Sequence, residues 1–149
     1  MTQDISCYAR TLMQLCVWRE SRGDEAAWSA VAWVILNRAM RRITLTTGTF
    51  GSGVLSLDEA IQHVVTAHEQ FSSMTVKGDV NTVQWPLPSV VWAGVAAAVD
   101  AVLNGMTPDP TAGATFYFSL PLLTPPEHWG EVTKTLDVGG IQFWRPALA

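Results

Sequence analysis

The feature that most constrains the fold is an apolar run close to the start of the chain. From residue 12 to residue 18, apolar side chains surround much of the circumference of a predicted helix. Thr2 or Asp4 can cap this helix, which we expect to run to about Arg22, and Gly23 can take the left-handed conformation that ends it. A helix that is apolar on most sides has to be covered by other elements. We therefore predict that it lies at the centre of the fold.

One acidic residue stands at the end of this helix. Glu20 continues the row formed by Met13 and Cys16 by one helical turn. A carboxyl group in such a poorly solvated position keeps its proton more readily, as a proton donor near neutral pH requires. The ordinary alternative is a surface glutamate paired with Arg19 or Arg22. We take Glu20 as the catalytic candidate and keep that alternative beside it.

Caps and hydrophobic periodicity predict three further helices. Asp24 can cap a second helix, which ends at the arginine cluster within residues 38–42, where cations complement the helix dipole. Residues 56–59 (Ser-Leu-Asp-Glu) have the spacing of a capping box and start a third helix. Ser89 can cap a fourth helix that runs to about Leu103.

The rest of the chain predicts loops and short strands. Residues 43–54 are rich in threonine and glycine, residues 72–84 are mostly polar, and we interpret both as loops. Aromatic and β-branched residues at 114–118 and 138–144 predict two short strands. We expect a single domain over residues 1–149, mainly α (α+β), with a few short β-strands in its C-terminal third.

Composition excludes several classes of protein. An apolar fraction of 48% in 149 residues is typical of a compact globular chain. The net charge of −4 argues against nucleic acid as a partner, and we expect no stable membrane insertion. The first residues lack the pattern of a signal peptide, so we expect synthesis in the cytoplasm. Seven tryptophans indicate either a binding surface or extensive packing.

The sequence gives little support for a metal site or for a nucleophilic serine or cysteine. His63 and His68 are five residues apart and point to different helix faces, and His128 is isolated, so we expect no metal and no cofactor. Cys7 and Cys16 are separated by roughly 13 Å along one predicted helix, too far for a disulfide. Burial in that apolar helix would disfavour the thiolate. No Gly-x-Ser-x-Gly elbow is present.

Acid/base chemistry by a carboxyl group remains. Cleavage of a glycosidic bond requires a proton on the leaving oxygen, delivered by a carboxylic acid that is held neutral. Aromatic rings suit the apolar faces of sugars. A glycan is therefore the substrate class that the sequence favours.

Five segments resemble those of one family. Residues 20–24 (Glu-Ser-Arg-Gly-Asp) resemble the Glu-Ala-Arg-Gly-Glu signature of the SleB-type cell wall hydrolases, which include spore-cortex-lytic enzymes and phage lysins. Residues 34–38 are similar to the family's Val-Val-Leu-Asn-Arg run and residues 70–72 to its Gln-Phe-Ser segment. Residues 113–118 and 138–144 resemble its two strand segments, and the order agrees along nearly the whole chain.

The resemblance implies a lysozyme-like, lytic-transglycosylase-like fold. It implies cleavage of the β-1,4 bond between N-acetylmuramic acid and N-acetylglucosamine, with Glu20 as the general acid/base. Ser21 replaces the common alanine and gives the Glu-Ser pair of related lytic transglycosylases. Gln70, Phe71 and Tyr117 match positions that the family places near the sugar. We expect a lytic transglycosylase that forms 1,6-anhydro products.

Two other functions stay open. A hydrolytic muramidase would need a second carboxylate, for which Asp24, Glu25, Glu69 and Asp79 are candidates, the first two being better explained as helix-start residues. A non-enzymatic peptidoglycan-binding or phage structural domain could keep the same fold. Ile141 stands where family members often have histidine, so we expect no catalytic role for the last strand.

The resemblance also predicts the partners and the site of action. The substrate would be the glycan strands of peptidoglycan. The protein would act on the bacterial cell wall as a phage endolysin or as a virion component, and a holin or virion proteins would deliver it.

Overall fold

The structure is a computed structural model. It describes residues 4–21, 24–46, 55–67, 71, 74, 86, 89–119 and 122–147, with the backbone alone for residues 44–46. The helices are α1 (Cys7–Ser21), α2 (Trp28–Thr46), α3 (Leu57–Thr66) and α4 (Val90–Leu103). The strands are β1 (Phe116–Ser119), β2 (Val132–Val138) and β3 (Ile141–Pro146). The fold is mainly helical with a small antiparallel sheet near its C-terminal end, which confirms the predicted α+β class.

Helix α1 is central, as its apolar sequence predicts. It packs against α2, α3 and α4, and Ala9, Met13 and Cys16 are fully buried along it. The predicted cap at Asp4 is wrong: the Ser6 hydroxyl accepts a hydrogen bond from the amide of Ala9 at 3.1 Å and begins the helix two residues later. Thr2, the other predicted cap, lies outside the described residues.

Helix α2 is longer than the sequence predicts. It follows a 3-10 turn (Glu25–Ala27) and continues to Thr46, so residues 43–46, predicted as loop, are helical. Ile43 packs against the core, and this tertiary contact favours another turn of helix over the local preference of threonine and glycine. The arginines at 38–42 therefore lie inside the helix and not in its last turn.

The predicted starts of α3 and α4 are confirmed. The Ser56 hydroxyl accepts from the amide of Glu59 at 3.1 Å, and the Glu59 carboxylate accepts from the amide of Ser56 in return, which forms the capping box. The Ser89 hydroxyl accepts from the amide of Trp92 at 3.1 Å. These caps depend on neighbouring residues alone, and the chain sequence is sufficient to predict them.

The sheet has one strand more than predicted. Its order is β1-β3-β2, and both pairs are antiparallel. The predicted strand at 138–144 is wrong in its first half, because Val138 ends β2 and Gly139 and Gly140, both at positive φ, form the turn into β3. Gly-Gly between two apolar stretches is a hairpin signal that the prediction placed inside a strand.

The two faces of the sheet have different neighbours. Tyr117 and Phe143 pair across β1 and β3, and Phe143 is fully buried against the helical core. On the opposite face Phe116 stacks on Trp129 at a ring distance of 4.6 Å. None of the six described tryptophans is exposed, which favours the packing role over a binding surface. No described helix combines the length and apolar character needed to cross a bilayer.

Candidate active site

Glu20 and Tyr117 meet where the helical part of the protein contacts the sheet. Glu20 is the penultimate residue of α1 and is half-buried. The hydroxyl of Tyr117, on β1, donates a hydrogen bond to Oε1 of Glu20. The ring of Tyr117 is held by Phe71 and Phe143, at ring distances of 6.4 and 5.7 Å. The carboxyl group is thereby oriented by one partner, and its other oxygen, Oε2, has no hydrogen-bond partner among the described residues.

Arg38 of α2 forms the third side of the site. Its guanidinium lies over the ring of Phe71 at 4.5 Å and within 5.9 Å of the ring centre of Tyr117. Its Nε donates to the backbone carbonyl of Thr115 at 2.7 Å. A cation stacked on two rings is well placed to balance the negative charge of Glu20 without occupying its carboxylate.

Asn37, the neighbour of Arg38 on α2, fixes the turn that leads into β1. The amide of Asn37 donates to Asp109 at 3.0 Å and to the carbonyl of Ala114 at 3.1 Å. Asp109 in turn accepts from the backbone amides of Thr111 and Gly113 at 2.8 and 2.9 Å, which closes the turn before the strand. Asn37 and Arg38 therefore tie the start of β1 to α2, and this tie sets where Tyr117 meets Glu20.

Burial and charge keep the groups around Glu20 in defined protonation states. Burial, together with the nearby charge of Glu20, raises the pKa of Tyr117 well above its usual value. The phenol therefore stays a hydrogen-bond donor at neutral and mildly alkaline pH. Burial also lowers the pKa of Arg38, although the acidic groups of Tyr117, Cys16 and Glu20 oppose that change. Arginine starts from so high a pKa that it remains a cation.

The two cysteines have different surroundings. Both belong to α1 and both are free thiols, as their spacing predicts. Cys16 is fully buried one turn before Glu20, and burial, then the charge of Glu20, raises the pKa of its thiol well above the usual value. Cys7 is exposed, so the expectation that both thiols are buried is wrong for Cys7. The protonated Cys16 thiol is no nucleophile.

The residues predicted to contact the sugar are placed unequally. Tyr117 lies at Glu20, whereas Ser21 is 3% exposed and its hydroxyl has no hydrogen-bond partner among the described residues. Phe71 is 1% exposed and supports Arg38 and Tyr117 from beneath. Gln70 lies outside the described residues. Contact of Ser21, Gln70 and Phe71 with substrate stays a prediction.

Two of the alternative carboxylates have structural roles. The Asp24 side chain accepts from the amide of Ala26 at 3.1 Å and caps the 3-10 turn that Glu25 opens, as predicted for a helix start. Glu69 and Asp79 lie outside the described residues. Ile141 is 5% exposed and belongs to the core. Within the described part of the chain, no three His, Cys, Asp or Glu side chains are grouped closely enough to hold a metal ion.

Sequence reasoning missed Arg38 and Asn37 as residues of the site. Both lie in the segment whose resemblance was noted, but Arg38 was assigned to a helix end. A better signal was its spacing: Arg38 follows Val31 and Ile35 at intervals of seven and three, so it shares their buried face. A charged residue on a buried helix face needs partners, which makes it a candidate for a functional site.

This arrangement suits proton transfer by one carboxyl group. Tyr117 occupies Oε1 of Glu20 and leaves Oε2 for a proton and for a substrate oxygen. The phenol donor and the Arg38 cation stabilise the carboxylate that remains after the proton has left. The site can therefore act first as an acid and then as a base.

Comparisons with known proteins agree with the segments noted in the sequence. A family described as Cell Wall Hydrolase matches residues 23–144, which include α2, α3, α4, β1, β2 and the first four residues of β3. The match begins three residues after Glu20, so the assignment of Glu20 to the site rests on its hydrogen bond with Tyr117. Neither the curated proteins nor the solved structures gave a match. Because the match covers most of the chain, the protein belongs to the cell wall hydrolase family.

Proposed function

We propose that this member of the cell wall hydrolase family is a lytic transglycosylase. Peptidoglycan degradation is the general activity of the family. The bond cleaved would be the β-1,4 linkage between N-acetylmuramic acid and N-acetylglucosamine, and the product would carry a 1,6-anhydro ring. The hydrogen bond from Tyr117 to Glu20, in a half-buried site beside Arg38, is the main support for this proposal.

The reaction needs a single carboxyl group. Glu20 gives its proton to the glycosidic oxygen as the bond from that oxygen to C1 of muramic acid breaks. The carboxylate of Glu20 then takes the proton of the C6 hydroxyl while O6 bonds to C1. Glu20 returns to its protonated state and no water is consumed. Tyr117 and Arg38 would stabilise the carboxylate between the two steps.

The preference for this outcome over a muramidase rests on the other carboxylates. A hydrolytic mechanism needs a second carboxylate on the far side of the sugar, as nucleophile or as base for water. Asp24 is engaged in capping a turn and Glu25 begins that turn. Glu69 and Asp79 keep the muramidase as the alternative outcome of the test.

The test is digestion of purified peptidoglycan by wild type and Glu20→Gln, with soluble products identified by mass spectrometry. We expect anhydro-muropeptides from wild type and none from Glu20→Gln. Glu131→Gln is a matched control, since it removes the same charge from an exposed residue outside the candidate carboxylates and should digest the substrate normally.

Each other outcome has a defined meaning. Products with free reducing ends alone would identify a hydrolytic muramidase. If Glu20→Gln digested the wall as wild type does, Glu20 would not be the acid. Wall binding by both proteins without any released product would identify a peptidoglycan-binding or phage structural domain.

Delivery to the wall belongs to the same proposal. The resemblance to phage lysins supports a protein made in the cytoplasm that reaches peptidoglycan through a holin lesion or in a virion. Expression in a bacterial host with and without a co-expressed holin tests this, because lysis should require the holin. Lysis without it would indicate another route.

A further inference from the structure

A concave region lies one helical turn along α2 from Arg38 of the Glu20 site. It is an open pocket of about 440 Å³, lined by α2, by the turn before β1 and by the end of β3. Asn37 and Arg41, four residues apart on one face of α2, form one wall. Thr115, directly before β1, and Arg145, on β3, form another. Glu20, Tyr117 and Arg38 are not among the residues that line this pocket.

The pocket carries positive charge in a protein whose net charge is −4. Two arginines are among its lining residues, and none of the described residues that line it is acidic. Arg145 uses Nη1 to donate to the carbonyl of Ala112 at 3.1 Å, which fixes the guanidinium at the rim and leaves its other N–H groups available. Arg41 has neither a hydrogen-bond nor an ion-pair partner among the described residues. The guanidinium of Arg41 brings five N–H donors to the lining of the pocket.

The two sites share a wall. Thr115 lines the pocket, and its backbone carbonyl accepts the hydrogen bond from Arg38 of the Glu20 site. Thr115 directly precedes β1 and is two residues before Tyr117, or roughly 7 Å at the rise of extended chain. Along α2, Arg38 and Arg41 are one turn apart, about 5 Å. Neighbouring residues of α2 and of the segment that leads into β1 therefore serve both sites.

From this placement we propose that the Arg41–Arg145 pocket binds a carboxylate of the stem peptide attached to muramic acid. The inference rests on the proposed function for the identity of the substrate. Stem peptides begin at the lactyl group of muramic acid, beside the bond to be cleaved, and carry side-chain and terminal carboxylates. A guanidinium fork binds a carboxylate through two parallel hydrogen bonds, and the concave wall partly shields these bonds from water.

The proposal makes the pocket a determinant of specificity. Peptidoglycan with free stem carboxylates would be bound at two places, at Glu20 through the sugar and at the pocket through the peptide. Peptidoglycan without stem peptides, or with amidated carboxylates, would lose the second contact. Arg41 is the residue to change, because Arg145 also supports the turn before β1.

The first experiment compares two substrates. Wild type and Arg41→Gln are given glycan strands with their stem peptides and the same strands after removal of the peptides by an amidase. We expect the ratio of kcat/KM for peptide-bearing to peptide-free glycan to fall by about tenfold in Arg41→Gln, the size expected for one charge-assisted contact. Arg42→Gln, the same change at an exposed neighbour outside the pocket, should keep the wild-type ratio. An unchanged ratio in Arg41→Gln would overturn the proposal.

A second experiment does not depend on catalysis. A synthetic stem tetrapeptide is titrated into the protein and followed by NMR or calorimetry, beside the same peptide with amidated carboxylates. We expect wild type to bind the free acid, and we expect binding to be about tenfold weaker for Arg41→Gln and for the amidated peptide. If wild type releases no product from either glycan, the proposed function fails while this titration still decides the pocket. Equal binding of both peptides would refute the pocket alone.

Discussion

Arg38 Nε donates a hydrogen bond to the carbonyl of Thr115 at 2.7 Å, two residues before the tyrosine that contacts Glu20. The same guanidinium stacks on Phe71 at 4.5 Å. One side chain thus anchors the strand, covers an aromatic ring and supplies a positive charge beside the candidate acid. The next residue along the helix toward its start, Asn37, anchors the same turn through Asp109.

Replacement of Arg38 by lysine should separate charge from geometry. Lysine keeps the cation but lacks the planar fork that bonds Thr115 and stacks on Phe71. We expect Arg38→Lys to fold, to lose about 1–2 kcal/mol of unfolding free energy and to turn over more slowly. Thermal unfolding and kcat measure both effects, with Arg42→Lys on the exposed side of α2 as control. Wild-type values in both measurements would contradict the anchoring role.

Removal of the phenol hydroxyl tests the partner of Glu20. In Tyr117→Phe the ring contacts with Phe71 and Phe143 remain while the donor to Glu20 is lost. A hydrogen bond to a charged group corresponds to a roughly tenfold or greater change in rate, so we expect kcat to fall about that much with KM nearly unchanged. Tyr8→Phe, at an exposed position and the other tyrosine of the chain, is the matched control. A fall in Tm without a fall in kcat would mean that the bond is structural only.

The hairpin turn offers a paired test of packing against the start of the second helix. Gly139 and Gly140 both have positive φ, but an added Cβ would lie 2.7 Å from the Asp24 carboxylate only at Gly139. We expect Gly140→Ala to cost about 1 kcal/mol from backbone strain, and Gly139→Ala to cost more. Urea unfolding of both variants, and of Gly139→Ala combined with Asp24→Ala, measures the difference. Equal losses in the two single variants would show that Asp24 moves away freely.

Asp109 should contribute to stability in a pH-dependent way. Burial acts to raise its pKa, but hydrogen bonds from Thr111, Asn37 and Gly113 outweigh burial and lower it overall. Because the pKa is lower in the folded state, the stabilisation is complete above the ordinary aspartate value near 4 and is lost as the pH falls through the lower, folded value. We expect Asp109→Asn to be less stable than wild type at pH 7, with the gap shrinking below about pH 4. A gap that is constant from pH 7 to pH 3 would contradict this assignment.

The two thiols should react at very different rates. Cys7 is exposed, whereas Cys16 is fully buried and its raised pKa keeps the thiol protonated. A thiol reagent should label Cys7 promptly in the native protein and Cys16 only upon unfolding. Peptidoglycan digestion should survive labelling of Cys7. Prompt labelling of both thiols would show that α1 opens in the native state.

Local chemistry accounts for the parts of the fold that the sequence predicts well. Ser56 and Ser89 cap helices through bonds to residues three positions away, and α1 is buried because its own side chains are apolar on most sides. The end of α2 and the strand β2 depend on distant partners, Ile43 on the core and Val132–Val138 on β3. No local pattern carries that information.

The residues of the candidate site also differ in how well the sequence alone predicts them. Glu20 follows from helical periodicity, and Tyr117 entered through resemblance of its segment to a family. Arg38 was missed because its partners, Thr115 and Tyr117, lie 77 and 79 residues further along the chain. Sequence spacing predicts that Arg38 lies on a buried helix face, but it does not identify the residues of other elements that contact Arg38.

The bond between Glu20 and Tyr117 also joins two parts of the chain that are 97 residues apart. A contact of such separation carries the entropic cost of closing the long loop between its ends, which the packing of the intervening elements offsets. No isolated helix or hairpin contains the oriented carboxyl group. The orientation of the Glu20 carboxyl group is therefore a property of the assembled tertiary structure and not of any one element.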